Sequence, residues 1–171
     1  MTDTPPLIAS RFSFRRIETK DAPLGALILF QPPATELVST PPNIAFGIVV
    51  DAIEPKQSPL RGVVWLGARY EFVPPYQVNA VTVIDAPWEI VPDVRLAKCS
   101  SSPQPGDLMV SQTGGMGLVH TAAPGRWGLL TLSNAVAAIW RADREALVMP
   151  WTIVSGDDVI CASEKPSASG S

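Results

Sequence analysis

The sequence predicts an all-β protein that contains the same small unit twice. Residues 87–91 read Pro-Trp-Glu-Ile-Val, and residues 150–154 read Pro-Trp-Thr-Ile-Val. The chain also has 18 prolines and 12 glycines among 171 residues. Because proline is costly inside helices and central strands, this density favours short strands joined by turns. Short apolar or alternating segments lie between these turns, as expected of strands.

Glycine-led apolar segments precede both copies of the pentapeptide in the same order. They begin at Gly25, Gly47 and Gly62 in the first copy and at Gly106, Gly117 and Gly128 in the second. The separation between matched glycines falls steadily along the chain, so the first copy has the longer loops. An ordered series of this kind indicates an internal duplication.

Residues 1–23 are predicted to form an N-terminal arm and a first strand, after a flexible lead at 1–10. Alternation in this strand places Phe12 and Phe14 on one face and Arg11, Ser13 and Arg15 on the other. The strand lies outside the predicted duplication. It could cap the first unit, or it could be an arm that pairs with a neighbouring subunit.

The first unit is predicted at 24–99. Between its first two strands lies a loop at 31–43 that is bracketed by two Pro-Pro pairs and favours a stiff, partly polyproline conformation. The predicted strands of this unit are 24–30, 44–53, 60–66, 77–84 and 88–91.

A linker at 100–105, rich in serine and proline, precedes the second unit at 106–161, and 162–171 is predicted to be a disordered tail. The alanine-rich stretch at 133–142 could be a short helix or a strand. Its presumed counterpart at 78–84 is β-branched, which favours a strand. The predicted strands of this unit are 107–111, 116–122, 127–132, 136–141 and 147–154.

The second unit resembles the SH3-like small barrels, including those with a KOW-type opening. The resemblance rests on Gly106-Asp107-Leu108, on Gly117-Leu118-Val119, on the strand at 127–132 and on the closing segment at 150–154. It implies two tandem SH3-like barrels with flexible termini. The first copy departs from the pattern because no acidic residue follows Gly25.

Composition bears on the class of partner. The formal net charge is −3, and 17% of residues are charged, against roughly 25% in an ordinary domain. Low charge favours burial of some surface in an assembly, and the acidic balance does not favour nucleic acid. Arg61, Arg69 and Arg95 with Tyr70 could still form a weak binding groove. A KOW-like nucleic-acid-binding module therefore remains an alternative.

Few residues suggest catalysis or metal binding. The chain has one histidine, His120, and two cysteines, Cys99 and Cys161. The cysteines follow the two pentapeptides at similar distances, and whether they pair is left open. One histidine and two separated cysteines do not give tetrahedral zinc spacing. We therefore expect no catalytic, metal or cofactor site, with the accessory subunit of an enzyme as a second alternative.

Aromatic residues are the candidates for protein contacts, because they dominate binding hot spots. The candidates are Phe12, Phe14, Trp65, Tyr70, Phe72 and Tyr76. Trp88 and Trp151 form a matched pair for which a structural role is expected.

The predicted function is that of a non-catalytic structural subunit, assembly-bound or oligomeric, with protein partners and no membrane. In style the chain resembles small barrel proteins encoded by bacteriophages. This resemblance implies a decoration or adaptor role in a virion. With no leader-like or membrane-spanning segment evident, we expect location in the virion if the chain is phage-encoded, and otherwise in the cytoplasm.

Overall fold

The computed structural model describes residues 12–33, 44–54, 56–67, 69–110, 114–140 and 145–163, and these residues form an all-β protein, as predicted. The predicted flexible lead, most of the proline-bracketed loop and the tail from 164 onward lie outside the described residues. Two 3-10 helices, Thr19–Asp21 and Val94–Leu96, connect strands.

The strands are β1 Ser13–Glu18, β2 Leu27–Phe30, β3 Ala45–Ile53, β4 Leu60–Leu66, β5 Phe72–Val73, β6 Ala80–Asp85, β7 Glu89–Pro92, β8 Lys98–Ser100, β9 Leu108–Val110, β10 Met116–Ala123, β11 Arg126–Thr131, β12 Val136–Ile139, β13 Ala146–Met149, β14 Trp151–Ser155 and β15 Asp158–Ala162. Most lie within two or three residues of a predicted strand. The described part of the ambiguous stretch, residues 133–140, contributes β12 and no helix. The predicted strand at 147–154 is divided at Pro150, which has no N–H to donate to a ladder.

Twelve strands form one sheet, and the prediction of two closed barrels is wrong. The sheet runs β1-β6-β2-β3-β12-β11-β10-β9-β13-β8, with β4 paired to β3 and β5 paired to β4. The two halves meet where β3 pairs in parallel with β12, with Asp51 opposite Val136. Part of the edge of β3 pairs with β12 of the second half. The twelve strands therefore form one continuous sheet, and the described strands of neither half close into a separate barrel.

The pairing of β1–β7 corresponds to that of β8–β14. Strand β2 pairs with β3 and β6 just as β9 pairs with β10 and β13. The registers also agree, since Val50 lies opposite Gly62 and His120 lies opposite Gly128. A common origin of the two halves remains an inference from this correspondence and from the sequence.

Two details of the predicted alignment are corrected by this pairing. Strand β1, placed outside the repeat, has a counterpart in β8, because β1 pairs with β6 as β8 pairs with β13. The counterpart of β6 is therefore β13 and not β12. The short β8 and β13 carry too few alternating residues to show this in the sequence.

The repeated pentapeptides pair with each other in a second sheet of three strands, β15-β14-β7. Ile90 lies opposite Ile153, flanked by the pairs Val91–Thr152 and Glu89–Val154. Because Ile90 and Ile153 are equivalent in the two copies, an approximate two-fold axis passes between them.

One hydrophobic core is shared by both halves. Its buried members include Leu27, Ile48 and Val64 from the first half and Leu108, Leu118 and Leu130 from the second. Each half has a further cluster, represented by Trp65 in the first half and Val148 in the second. The two units are therefore packed as one body around common apolar side chains.

Candidate functional site

An apolar groove of about 550 Å³ lies between the edge strand β1 and the strand β15. We call it the β1–β15 groove. It is lined by Phe12, Phe14, Leu29, Phe46, Ile84, Asp158, Val159 and Ile160. Phe14 is 56% exposed and Val159 is 68% exposed, so both sides of the groove present large apolar side chains to solvent. Exposed apolar surface of this kind marks a candidate interaction site.

Strand β1 forms one wall of the groove and ends the sheet. It pairs with β6, with Phe14 opposite Ile84, and the described strands place nothing on its other edge. Arg15 forms an ion pair with Asp85 at 3.3 Å. Such an edge offers main-chain donors and acceptors to an added strand.

The six predicted contact residues do not form one patch. Phe12 and Phe14 lie in the groove, as a strand with one apolar face would place them. Trp65 and Tyr70 are buried in the core and present no surface for a partner. Phe72 is half-buried, and Tyr76 is 76% exposed but not in the groove lining.

Sequence reasoning missed the opposite wall of the groove. Strand β15 supplies Val159 and Ile160, but no strand was predicted there. The short apolar run at 159–161, after the turn at Gly156, was the signal that could have shown it.

The matched tryptophans have different surroundings. Trp151 is buried, its Nε1 donates to the Gly106 carbonyl at 2.8 Å, and its ring lies edge-on to Tyr70. Trp88 is half-buried. The counterpart of Tyr70 is Ala135, and both have positive φ, 43° and 53°. Trp151 packs against the ring of Tyr70, whereas the equivalent position on the Trp88 side holds Ala135, which has no ring. This accounts for the lower burial of Trp88.

A second, smaller cavity of about 90 Å³ lies where the two halves meet. We call it the His120 cavity. Its lining comes from β3, β10 and β12, from Leu60 and Phe72, and from Glu54, Gln57 and Ser58 in the connection after β3. His120 is only 2% exposed, and neither ring nitrogen has a hydrogen-bond partner in the described structure.

The described groups around His120 do not form the contacts of a nucleophile and its base. Glu54 and Ser58 are exposed, and His120 hydrogen-bonds to neither. A nucleophile and its base need such a contact. Within the described residues, no three His, Cys, Asp or Glu side chains are grouped to hold a metal ion.

The cysteines are free, and although they follow the two pentapeptides at similar distances, they do not occupy equivalent places in the fold. Cys99 is exposed on β8 opposite Leu147, whereas Cys161 is on β15 opposite Ile153. Burial raises the pKa of the Cys161 thiol.

The arginines considered for nucleic-acid binding pair with carboxylates of the same chain. Arg61 contacts Asp51 at 2.9 Å, and its guanidinium also donates to the Ala22 carbonyl at 3.1 Å. Arg95 contacts Asp93 at 3.0 Å, and Arg69 contacts Glu71 at 3.5 Å. These carboxylates reduce the positive field available to phosphates.

Comparison with protein-family models, with curated proteins and with solved structures found no match to this chain. Among the described residues, no helix has the length and hydropathy needed to cross a bilayer.

Burial of His120 leads to a prediction about pH. Burial lowers the pKa of His120, and the backbone of Thr121, which does not meet hydrogen-bond geometry with the ring, opposes the change more weakly. Below the ordinary histidine pKa of about 6.5, the unfolded chain binds a proton that the folded chain does not. The free energy of unfolding should fall as pH drops from about 6.5 to the folded pKa, by up to roughly 1.4 kcal/mol per pH unit.

Urea denaturation between pH 5 and pH 8 checks this prediction. The matched variant is His120→Val, since valine occupies the equivalent position, Val50, in the first half. The variant should lose the histidine contribution below pH 6.5. Equal pH dependence in both proteins would show that His120 does not stay neutral on folding.

Proposed function

We propose that the protein is a non-catalytic subunit of a larger protein assembly and that it binds an extended apolar segment of a partner protein in the β1–β15 groove. The observation that carries the proposal is the combination of an edge strand with an exposed apolar groove beside it. Strand addition uses both features: the edge supplies main-chain hydrogen bonds, and the groove receives alternate side chains.

A partner is favoured over a second copy of this chain by the charges on β1. Antiparallel pairing of two β1 strands about the middle of the strand would place Arg15 and Arg16 of one copy opposite Arg16 and Arg15 of the other. Like charges directly opposite each other on paired strands are destabilising. In this central register the charges of β1 oppose self-pairing, which favours a different strand at the edge.

The same residues indicate the chemistry of the partner segment. Phe14 and Arg16 are two positions apart on β1 and so lie on one face of the strand. A matching segment would place an apolar side chain against Phe14 and a carboxylate against Arg16. Alternation of apolar and other residues, with one acidic residue two positions from an apolar one, is the expected pattern.

A virion is the assembly in which we propose this role, as a decoration or adaptor component. The support is the resemblance in style to small barrel proteins encoded by bacteriophages, together with the low charge of the chain. Genes for capsid, portal or tail proteins beside the coding sequence would support the same assignment. The ion-paired arginines favour a protein partner over nucleic acid.

Selection of peptides from a random library on the immobilised full-length protein tests the proposal. Enriched peptides should be extended and apolar at alternate positions, with an acidic residue. Phe14→Glu should weaken their binding by about 30-fold, as expected for a central aromatic contact. Arg16→Glu should weaken it by up to about fivefold, and replacing the acidic residue of the peptide with lysine should restore it.

Val94→Glu is the matched control, because Val94 is an exposed apolar residue on a 3-10 helix that does not line the groove. Binding should be unchanged in this variant. Peptides that bind Phe14→Glu and the unchanged protein equally would overturn the proposal. So would a dimer of this chain that dissociates on Phe14→Glu, since the groove would then receive a second copy.

A further inference from the structure

We propose that the His120 cavity binds a small uncharged molecule that both donates and accepts a hydrogen bond, of the primary amide or alcohol type. The inference is independent of the β1–β15 groove and goes beyond the proposed function. It rests on two observations: a partly open cavity between the halves, and a buried imidazole in its wall that has no hydrogen-bond partner within the described structure.

Packing holds the imidazole at the cavity wall. His120 lies opposite Gly128 on β11, and a Cβ at position 128 would collide with the His120 ring. In the first half, the space above the equivalent Gly62 is filled by the ring of Phe72. The second half has Ala137 where the first has Phe72, which leaves room for the imidazole. The polar ring is thus seated where the other half has only apolar groups.

The lining determines the charge of the ligand. Ala52, Ile53, Ala137 and Ile139 are apolar, and Glu54 is the one charged residue among the described residues of the lining. An anion would lose its hydration and meet the Glu54 carboxylate, while an organic cation would find no buried carboxylate. A neutral imidazole offers one N–H donor and one nitrogen acceptor. A neutral amide or hydroxyl group complements both.

The volume determines the size of the ligand. The cavity of about 90 Å³ is smaller than the engineered cavity of about 150 Å³ that binds benzene, and it equals roughly three water volumes. At the packing density of protein interiors it accommodates a molecule of about four non-hydrogen atoms. For a ligand of that size, dissociation constants are tens of micromolar or weaker.

Acetamide and acetate are the test probes, because they match in size and differ in charge and in the N–H donor. The chain has one histidine, so labelling full-length protein with ¹³C,¹⁵N-histidine gives a single set of ring signals in NMR. At pH 7.5, acetamide should shift both ring nitrogens with saturation. Acetate at equal concentration should give no saturable shift.

Two leucine substitutions show whether acetamide binds in the His120 cavity. Ala122→Leu fills the cavity, since Ala122 is in its lining, and should abolish saturation by acetamide. Ala123→Leu makes the same change at the next position of β10, outside the lining, and should retain it.

Shifts that grow linearly with acetamide, or saturation equally strong with acetate, would overturn the proposal. Cross-relaxation from water to the His120 ring that acetamide does not displace would also overturn it, because the cavity would then hold ordered water alone. Both readings come from the unchanged protein and do not depend on the folding of a variant.

Discussion

Replacing Trp151 with alanine is expected to lower the free energy of unfolding by about 3–5 kcal/mol. The side chain is 1% exposed, and it packs in the core that both halves share. The substitution removes a large apolar ring and the edge-on contact with Tyr70. It also deprives the Gly106 carbonyl of the indole N–H that donates to it. Urea denaturation monitored by far-UV circular dichroism measures the change.

Trp88→Ala is the matched control, because Trp88 holds the equivalent position in the first copy but is half-buried. Its expected cost is about 1–2 kcal/mol, in proportion to the smaller area removed from water. Equal losses for the two variants would contradict the assignment of Trp151 to the shared core and of Trp88 to its margin.

The positions of the strands could be predicted from the sequence, because strand patterns are local. Alternation, β-branched residues and turn glycines identified β3, β4, β10 and β11 nearly to the residue. The pairing of β3 with β12 could not be predicted, since it joins residues from opposite halves and has no short-range signal. The resemblance to small closed barrels therefore predicted the all-β class correctly, but it wrongly predicted that each half closes into a barrel.

The groove could be predicted only in part. Phe12 and Phe14 were identified because they alternate with polar residues in the sequence, and alternation assigns them to one face of a strand. Trp65 was proposed as a surface contact but is buried. Residues 62–66 on β4 are all buried, on both faces of the strand, between the shared core and the cluster of the first half. A strand covered on both faces shows no alternation from which its exposed side could be read.

Neither half of the protein is expected to fold when it is separated from the other. Each half contributes apolar side chains to one core, and the β3–β12 and β7–β14 ladders join the halves. Cutting between Ala97 and Lys98 would expose the core side chains of both fragments, remove the β3–β12 ladder and leave β7 without its described partner, β14. Because a typical domain is stabilised by only about 5–15 kcal/mol, this exposure is expected to unfold both fragments. A Gly-Ser insertion between Ser101 and Ser102, which are exposed, is the control and should leave the intact chain folded.

The most direct measurement is circular dichroism and NMR of fragments 1–97 and 98–171, each alone and then mixed in equal amounts. One body with a shared core predicts two unfolded fragments that form a folded complex on mixing, with a single cooperative thermal transition. A cooperative transition and dispersed amide signals from either fragment alone would contradict it, because that half would then have a sufficient core of its own.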